Sequence, residues 1–239
     1  LGMDVTLVNA EPQLGGVCLL RGCIPSKALL HVARTIGDAQ GLTDWGVDFA
    51  PPTINIDSLR ARKDKVITTL TGGLEQLAKR RNVRVVRARA VFEDSNTLAL
   101  SPVGGEPLED ARLRFQQCIL ATGSSPTQIP ALALPTPRVM DSTGALELAD
   151  VPESLLVIGG GYIGLEMGTV YASLGTRVSV VEMTDGLLPG ADRNLVKPLA
   201  KRLETDFEAI WLNTKVVSLK EKGESIEVTL EGDVEPKTR

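Results

Sequence analysis

Two cysteines near residue 20 have a spacing that suits redox chemistry. Four residues separate Cys18 from Cys23, and an apolar segment with helical spacing begins at Cys23. A helix N-terminus stabilises a thiolate, and Pro25 suits a first helical turn. A zinc site needs four ligands, and the chain has only one histidine and one further cysteine. The residues therefore favour a redox pair, with a pair of inert buried cysteines as the alternative.

A glycine motif later in the chain suits phosphate binding. Gly159, Gly161 and Gly164 have the spacing Gly-x-Gly-x-x-Gly after the apolar segment 155–158, and Glu182 ends the next predicted strand. Glycines here let the backbone approach a pyrophosphate, which a helix N-terminus stabilises. The Glu182 carboxylate can accept hydrogen bonds from ribose hydroxyls and repels a 2′-phosphate. The motif predicts a dinucleotide site that prefers NAD to NADP; tight helix–strand packing without a ligand is the alternative.

An internal repeat indicates which elements position these motifs. Residues 174–182 (LGTRVSVVE) repeat the pattern of residues 1–9 (LGMDVTLVN), at an offset of 174 − 1 = 173 residues. Each copy is typical of a glycine-capped helix end followed by a short buried parallel strand. The glycine loop of the first copy would precede residue 1. We therefore expect the chain to begin inside a nucleotide-binding domain, with a chance match as the alternative.

Hydrophobic periodicity and turn residues predict the other elements. Helices are predicted over residues 23–40, 56–81 and 197–203. Strands are predicted over residues 83–92, 97–100, 112–121, 209–219 and 225–230, of which the first three form a small β-meander. Residues 126–137 are expected to form an extended linker, and the chain is expected to stop at residues 235–239 without a closing element. Cys118 is expected in the core.

Composition excludes several classes of protein. The chain has 239 residues, a net charge of −4 and 43% hydrophobic residues, which suits a soluble, cytoplasmic α/β protein without a polyanion-binding surface. Aromatic residues make up 3%, so platforms for stacking nucleic-acid bases are scarce. The basic run 79–89 is expected to be a solvated face. Residues 1–10 show no targeting signal, and Glu166 interrupts the most apolar stretch, so no membrane association is expected.

Several stretches resemble a known family. Residues 15–31 (GGVCLLRGCIPSKALLH) resemble the redox-disulfide signature of the flavin-dependent pyridine-nucleotide disulfide oxidoreductases. Residues 121–124 (ATGS) resemble that family's second flavin-contacting turn, and residues 159–168 (GGGYIGLEMG) resemble its NAD-binding half. Residues 141–148 and 180–202 resemble most closely the members that oxidise dihydrolipoamide. The resemblance covers almost the whole chain.

The resemblance implies a fold and a function. The fold is α/β, with two Rossmann-like three-layer domains that bind FAD and NAD(P), both incomplete, and a small β-meander in the first. Residues 1–148 would form a partial FAD-binding domain carrying the redox-disulfide helix, and residues 149–239 a partial NAD-binding domain. The implied cofactors are FAD and NAD, with no metal. Electrons would pass from dihydrolipoamide through a Cys18–Cys23 disulfide and FAD to NAD⁺.

The resemblance also implies partners and leaves alternatives. The implied partners are dihydrolipoamide on the lipoyl domain of a 2-oxo acid dehydrogenase complex and a second copy in a homodimer. The family's first glycine fingerprint, later flavin-binding turn and catalytic histidine have no match here. We therefore expect the full-length protein to be the enzyme and this chain to be inactive alone. The alternatives are a nucleotide-binding fragment, a reductase of glutathione disulfide or mercuric ion, which Glu182 disfavours, and a thiol sensor without nucleotide.

Individual roles follow from matched positions. In the family, the first cysteine exchanges with the dithiol substrate and the second contacts the flavin as a thiolate; these match Cys18 and Cys23. Lys27 would lie by the flavin and pair with Glu166. Asn9 stands where the family usually has an acid for the FAD ribose. The full set expected to line the cofactor sites is Asn9, Gly15, Gly16, Lys27, Ala90, Thr122, Gly123, Ser124, Gly159, Gly160, Gly161, Tyr162, Ile163, Glu166, Glu182 and Val216.

Overall fold

A computed structural model describes residues 2–105 and 107–234. Its helices are α1 (Gly16–Arg21), α2 (Cys23–Gln40), α3 (Ile56–Arg80), α4 (Ser142–Glu147), α5 (Tyr162–Ser173) and α6 (Arg193–Asp206). Its strands are β1 (Thr6–Asn9), β2 (Arg84–Asp94), β3 (Thr97–Pro102), β4 (Arg112–Arg114), β5 (Ser154–Ile158), β6 (Arg177–Val181), β7 (Ala209–Trp211), β8 (Thr214–Lys222) and β9 (Ser225–Gly232). Leu1 of the repeat and the expected open end at 235–239 lie outside the described residues.

The chain divides into two compact units. Unit 1 comprises Leu1–Leu20 and Lys65–Ser125, and unit 2 comprises Arg21–Asp64 and Pro126–Arg239. This division by contacts differs from the boundary expected at residue 148. The assignment of residues 1–148 to FAD and 149–239 to NAD remains a prediction.

Unit 1 is built on a mixed sheet in the order β1-β2-β3-β4. Asn82 has a φ of 54° and ends α3 in the left-handed conformation, which directs the chain into β2. β1 pairs with β2 in parallel, and β2, β3 and β4 pair antiparallel. The β2–β3 turn is fixed by Asp94, whose carboxylate accepts a 2.7 Å hydrogen bond from the backbone of Asn96. The expected meander is thus confirmed.

Unit 2 contains a parallel sheet in the order β5-β6-β7 and an antiparallel hairpin of β8 and β9. α5 connects β5 to β6, and α6 connects β6 to β7. α5 carries apolar residues on most of its surface and packs against β6. Val170 and Tyr171 of α5, and Val180 of β6, are at most 1% exposed. The Tyr171 hydroxyl donates to Ala145 O at 3.0 Å, and burial, followed by the charge of Asp150, raises the pKa of Tyr171 to about 12.

The repeat predicted from sequence corresponds to matching structure. β1 and β6 are both parallel strands, as expected, but only β6 is buried: Leu7 of β1 is 41% exposed, because no helix of the described residues covers it in the way that α5 covers β6. Each is preceded by a glycine with positive φ, 71° at Gly2 and 107° at Gly175. A glycine accepts this conformation without the steric penalty of a side chain.

Three strand and helix predictions need correction. The strand over residues 112–121 ends at Arg114, because no described strand pairs with residues 118–121; Cys118 is therefore exposed and not in the core. The strand over 209–219 is two strands, separated where Asn213 adopts a φ of 48°. α6 begins four residues earlier than predicted (197 − 193 = 4), since the Asp192 carboxylate caps it by accepting from Asn194 N at 2.8 Å.

One stretch, Gly16–Trp45, is long and apolar enough to cross a membrane by length and composition, a test that core helices of soluble proteins also pass. The stretch is not one helix, because the backbone at Gly22 has φ −144° and ψ −121° and separates α1 from α2. α2 packs against α5, and its Leu29 is 1% exposed. α2 therefore packs one face, which includes Leu29, against the core of unit 2.

Candidate functional site

The glycine loop of unit 2 joins the end of β5 to the start of α5. Gly159 has a φ of 107°, and its N–H donates to Val181 O at 2.8 Å, which ties the loop to β6. A Cβ on Gly164 would collide with the carbonyl oxygen of Gly159 and lie 2.9 Å from Val157. The third glycine therefore lets the helix approach the strand closely. Gly161 is the N-cap of α5.

Glu182 follows β6 and faces this loop. Its side chain is 6% exposed, and one carboxylate oxygen accepts from Gly160 N at 2.7 Å. The other accepts from the backbone N–H and the hydroxyl of Thr184, both at 2.8 Å. Burial alone raises the pKa of Glu182, but the hydrogen bonds from Thr184 and Gly160 outweigh burial and lower it below its ordinary value. Glu182 is therefore a buried carboxylate held ionised beside the glycine loop.

Exposed side chains surround the start of α5. Tyr162 is 65% exposed, Ile163 45% and Met183 72%. Val216 of β8 is half-buried and packs against the small core cluster that includes Val181. The loop, its acidic residue and these apolar side chains lie in one unit, with an accessible surface for a ligand.

Lys27 and Glu166 form an ion pair within unit 2. Lys27 Nζ lies 2.5 Å from Glu166 Oε1, which joins α2 to α5. The lysine side chain is 57% exposed and the glutamate 24%. The pairing expected from the sequence is confirmed, and it leaves the ammonium group accessible to solvent.

The two cysteines occupy adjacent short segments of chain. Cys23 is the first residue of α2, as predicted, whereas the short helix α1 that contains Cys18 was not predicted from the sequence. Both are exposed, which excludes a buried inert pair. The Ser26 hydroxyl donates to Cys23 O at 3.1 Å within the first turn of α2, and Pro25 and Ser26 are buried. The first turn of α2 is thereby anchored beneath an accessible sulfur atom. No cluster of metal ligands occurs among the described residues.

Unit 1 brings the expected flavin-contacting turns together. Gly123 has a φ of 73°, and a Cβ there would lie 3.2 Å from Val17 of α1. The turn 122–124 is exposed, and nothing would meet a Cβ on Gly16 within 4 Å. Glycine backbone is thus accessible in both turns, whereas a Cβ on Gly15 would lie 3.0 Å from the Leu19 side chain.

The remaining expected residues of unit 1 lie on β1 and β2. The amide nitrogen of Asn9 donates to Glu11 O at 2.9 Å and Gln13 O at 3.1 Å, so this side chain shapes the loop after β1. Ala90 lies on β2, opposite Leu100, and is exposed. Contacts of either residue with a cofactor remain predictions.

Two residues near the glycine loop were missed from the sequence. The Thr184 hydroxyl donates to the Glu182 carboxylate. Arg193 donates to backbone carbonyls of the segment that follows Thr184, among them Leu187 O. The pattern Asp192 followed by a helical segment is typical of an N-cap and could have placed Arg193 at a helix start. Nothing in the spacing predicts the loop carbonyls that it contacts.

Comparison with known proteins gives one family. The sequence pattern of the family described as Pyridine nucleotide-disulphide oxidoreductase matches residues 1–237. The chain is 46% identical over 236 residues to a dihydrolipoyl dehydrogenase of Vibrio parahaemolyticus, covering 99% of this chain and 49% of that protein. It is 38% identical over 238 residues to a dihydrolipoyl dehydrogenase of Geobacillus stearothermophilus, covering 49% of it.

Solved structures agree with this assignment. The HOCl-induced flavoprotein disulfide reductase RclA from Escherichia coli superposes with a TM-score of 0.78 at 26% identity, over 100% of this chain and 49% of that chain. LpdA from Mycobacterium tuberculosis superposes with a TM-score of 0.83 at 22% identity, over 96% of this chain and 50% of that chain, which shows a shared fold. The chain spans about half the length of the relatives that it matches.

Proposed function

Because the chain belongs to the pyridine nucleotide-disulphide oxidoreductase family, we propose that it forms the part of an enzyme that carries the redox disulfide and binds NAD. That enzyme would oxidise dihydrolipoamide with NAD⁺. The observation that carries this proposal is the buried Glu182 carboxylate hydrogen-bonded to the glycine loop at Gly160. A carboxylate in this place accepts hydrogen bonds from the ribose hydroxyls and repels a 2′-phosphate. NAD is therefore the proposed dinucleotide in preference to NADP.

The residues of unit 2 fit such a ligand. The glycine loop gives close access to backbone N–H groups, and the N-terminus of α5 lies behind it. Tyr162 and Ile163 supply apolar surface beside the loop, and Val216 of β8 would line the same site. These residues would bind and orient NAD, while Glu182 would hold its adenosine ribose.

The redox half of the proposal rests on the accessible cysteines. Cys18 would exchange with the substrate dithiol, and Cys23 would complete the disulfide, so that two thiolates of the substrate give up two electrons and become a disulfide as the cysteine pair is reduced. A bound FAD would supply the two-electron carrier between this pair and NAD⁺. Lys27, oriented by Glu166, would hold a positive charge near that carrier. The glycine turns at residues 15–16 and 122–124, with Asn9 and Ala90, would contact the flavin.

The relatives' names support the substrate proposed for this chain. Dihydrolipoamide would be presented by the lipoyl domain of a 2-oxo acid dehydrogenase complex, and the working protein would be a cytoplasmic homodimer. Because this chain spans about half of its relatives' length, the whole reaction is proposed for the full-length protein. The second candidate is that the chain by itself is a nucleotide-binding fragment without turnover, which that same coverage favours.

A cysteine substitution in the full-length protein tests the proposal. Cys18→Ser should abolish NAD⁺-linked oxidation of dihydrolipoamide while the protein still binds flavin, measured by its visible absorption. Cys118→Ser, at an exposed cysteine outside the proposed site, is the matched control and should keep turnover. Undiminished turnover in Cys18→Ser would contradict the proposed role. Turnover by the isolated chain of 239 residues would contradict the second candidate.

A further inference from the structure

We propose that Arg193 is a positioning residue for the dinucleotide site. Its guanidinium binds residues 186–191, which we call the clamp loop, and thereby holds that loop against the glycine loop at Gly160. This inference rests on the proposed function of the glycine loop in binding NAD. Arg193 itself would not touch the nucleotide. It would fix the peptide of Gly160 before the ligand arrives.

Arg193 makes four hydrogen bonds to three carbonyl oxygens of the clamp loop. Nη1 donates to Leu187 O at 2.8 Å, and Nη2 donates to Leu188 O at 2.6 Å. Nε and Nη2 both donate to Ala191 O, at 3.0 and 2.9 Å. The planar guanidinium, with donors in a fixed fork, suits this multiple contact, which a lysine could not reproduce.

The clamp loop is shaped to receive the guanidinium. A Cβ on Gly186 would lie 2.6 Å from Arg193 Nη1, so glycine there leaves the space that Arg193 fills. Leu188 has a φ of 51°, a left-handed conformation that is rare for a leucine. Such strain persists only where the surroundings hold it in place. The hydrogen bond from Arg193 to Leu188 O is one of the contacts that do so.

Leu188 passes this constraint to the glycine loop. Its N–H donates to Gly160 O at 2.9 Å, while Gly160 N–H donates to the Glu182 carboxylate at 2.7 Å. The Leu187 side chain lies against Gly160, where a Cβ would be only 2.7 Å from its Cδ2. Gly160 is therefore held through its nitrogen, its oxygen and its open side, and two of these three contacts come from the clamp loop.

The position of Arg193 breaks a local rule. It is the first residue of α6, where the helix dipole disfavours a positive charge and favours an acidic residue. Its contacts with clamp-loop carbonyls offset that disadvantage. Local rules are most often broken at functional sites, and here the exception lies one loop away from the proposed phosphate site.

The test compares variants of the 239-residue chain, titrated with NADH. Arg193→Gln should raise the Kd for NADH by about tenfold or more, because a displaced glycine loop no longer presents its N–H groups to the pyrophosphate. Arg193→Lys keeps the charge but not the fork and should fall between Arg193→Gln and the parent chain. Arg202→Gln, on the same helix, removes an ion pair with Asp206 and no hydrogen bond to the clamp loop that the structure describes; it is the matched control and should bind as the parent does.

Amide hydrogen exchange in the ligand-free chain gives a second readout. Arg193→Gln should lose protection at the amides of Gly160 and Leu188, while the amides of β5 and β6 stay protected. An equal loss of amide protection in all strands of Arg193→Gln would mean general unfolding and would contradict a positioning role. The same measurement on Arg193→Lys, a milder variant, checks that result. Unchanged NADH affinity with unchanged protection at these two amides would overturn the inference. If the parent chain binds no NADH, the proposed NAD site fails, and the exchange data still decide whether Arg193 holds the loop.

Discussion

At the scale of single residues, Glu182 has the most specific surroundings of the candidate residues. Its buried carboxylate has three hydrogen-bond donors within 2.8 Å. A buried charge is tolerated only when it is satisfied in this way. The residue therefore has a structural role before any nucleotide binds, and substitution should affect stability as well as affinity.

Glu182→Gln should lower the free energy of unfolding at pH 7 by about 1.5–3 kcal/mol, the usual worth of hydrogen bonds to a charged group. The amide has lost the charge, and its NH₂ would face N–H donors. Because the native pKa of Glu182 lies below 4.5, the ionised form stabilises the folded state above the unfolded pKa. This stabilisation is lost as the pH falls through the lowered native pKa.

Urea denaturation of the parent chain and Glu182→Gln at a series of pH values measures this effect. The difference between the two should be full above about pH 5 and shrink in more acidic solution. Other carboxylates titrate in both proteins and cancel in the difference. A difference that stays constant down to pH 3 would show that the charge of Glu182 is not responsible.

At the scale of elements, α4 shows how one side chain sets a helix start. Asp141 precedes α4, and its carboxylate accepts from Thr143 N at 2.9 Å and Gly144 N at 3.0 Å. Six residues make a helix that is too short to be stable without such a cap. Its Leu146 is 5% exposed and packs in the core of unit 2.

Asp141→Ala should therefore destabilise unit 2 by about 1 kcal/mol, since two N–H groups lose their acceptor. Asp141→Asn keeps a capping oxygen and is the matched control, expected within a few tenths of a kcal/mol of the parent. Thermal unfolding followed by circular dichroism measures both. Equal stability of the alanine variant and the parent would show that the cap contributes nothing.

Elements were predictable from the sequence where the signal is local. α2 runs over the predicted residues 23–40 because apolar periodicity continues through the whole segment. The strand expected to continue to residue 121 failed because a strand needs a paired neighbour, which composition does not reveal. The glycine loop and Glu182 were identified from spacing, whereas Thr184 and Arg193 act through backbone groups of a loop whose shape depends on Leu188.

At the scale of the whole molecule, apolar surface is exposed at residues 119–120. Ile119 is 91% exposed and Leu120 69%, in a segment without regular structure. Two adjacent exposed apolar side chains outside the described strands favour association between molecules.

Ile119→Lys should reduce association of the chain without lowering its melting temperature, because the side chain has almost no contacts to lose. Light scattering as a function of protein concentration measures the association. The matched control is Gln117→Lys, which adds the same charge at an exposed residue of the Ile119 segment and keeps Ile119. A lysine at a half-buried residue such as Ala28 would not be a suitable control. Equal scattering by both lysine variants would assign the effect to charge alone.

The Thr184 hydroxyl has a consequence for the hydrogen bonds that remain when the proposed coenzyme binds. Its single proton has two acceptors in reach, Glu182 Oε1 at 2.8 Å and Gly186 O at 3.0 Å. An arriving sugar that claims the carboxylate displaces a donor which rotates to the neighbouring oxygen, so no polar group is stranded at either stage. Because a hydrogen bond to a carboxylate is stronger than one to a neutral carbonyl, the proton favours Glu182 until the proposed ribose binds, and Gly186 O keeps it paired afterwards.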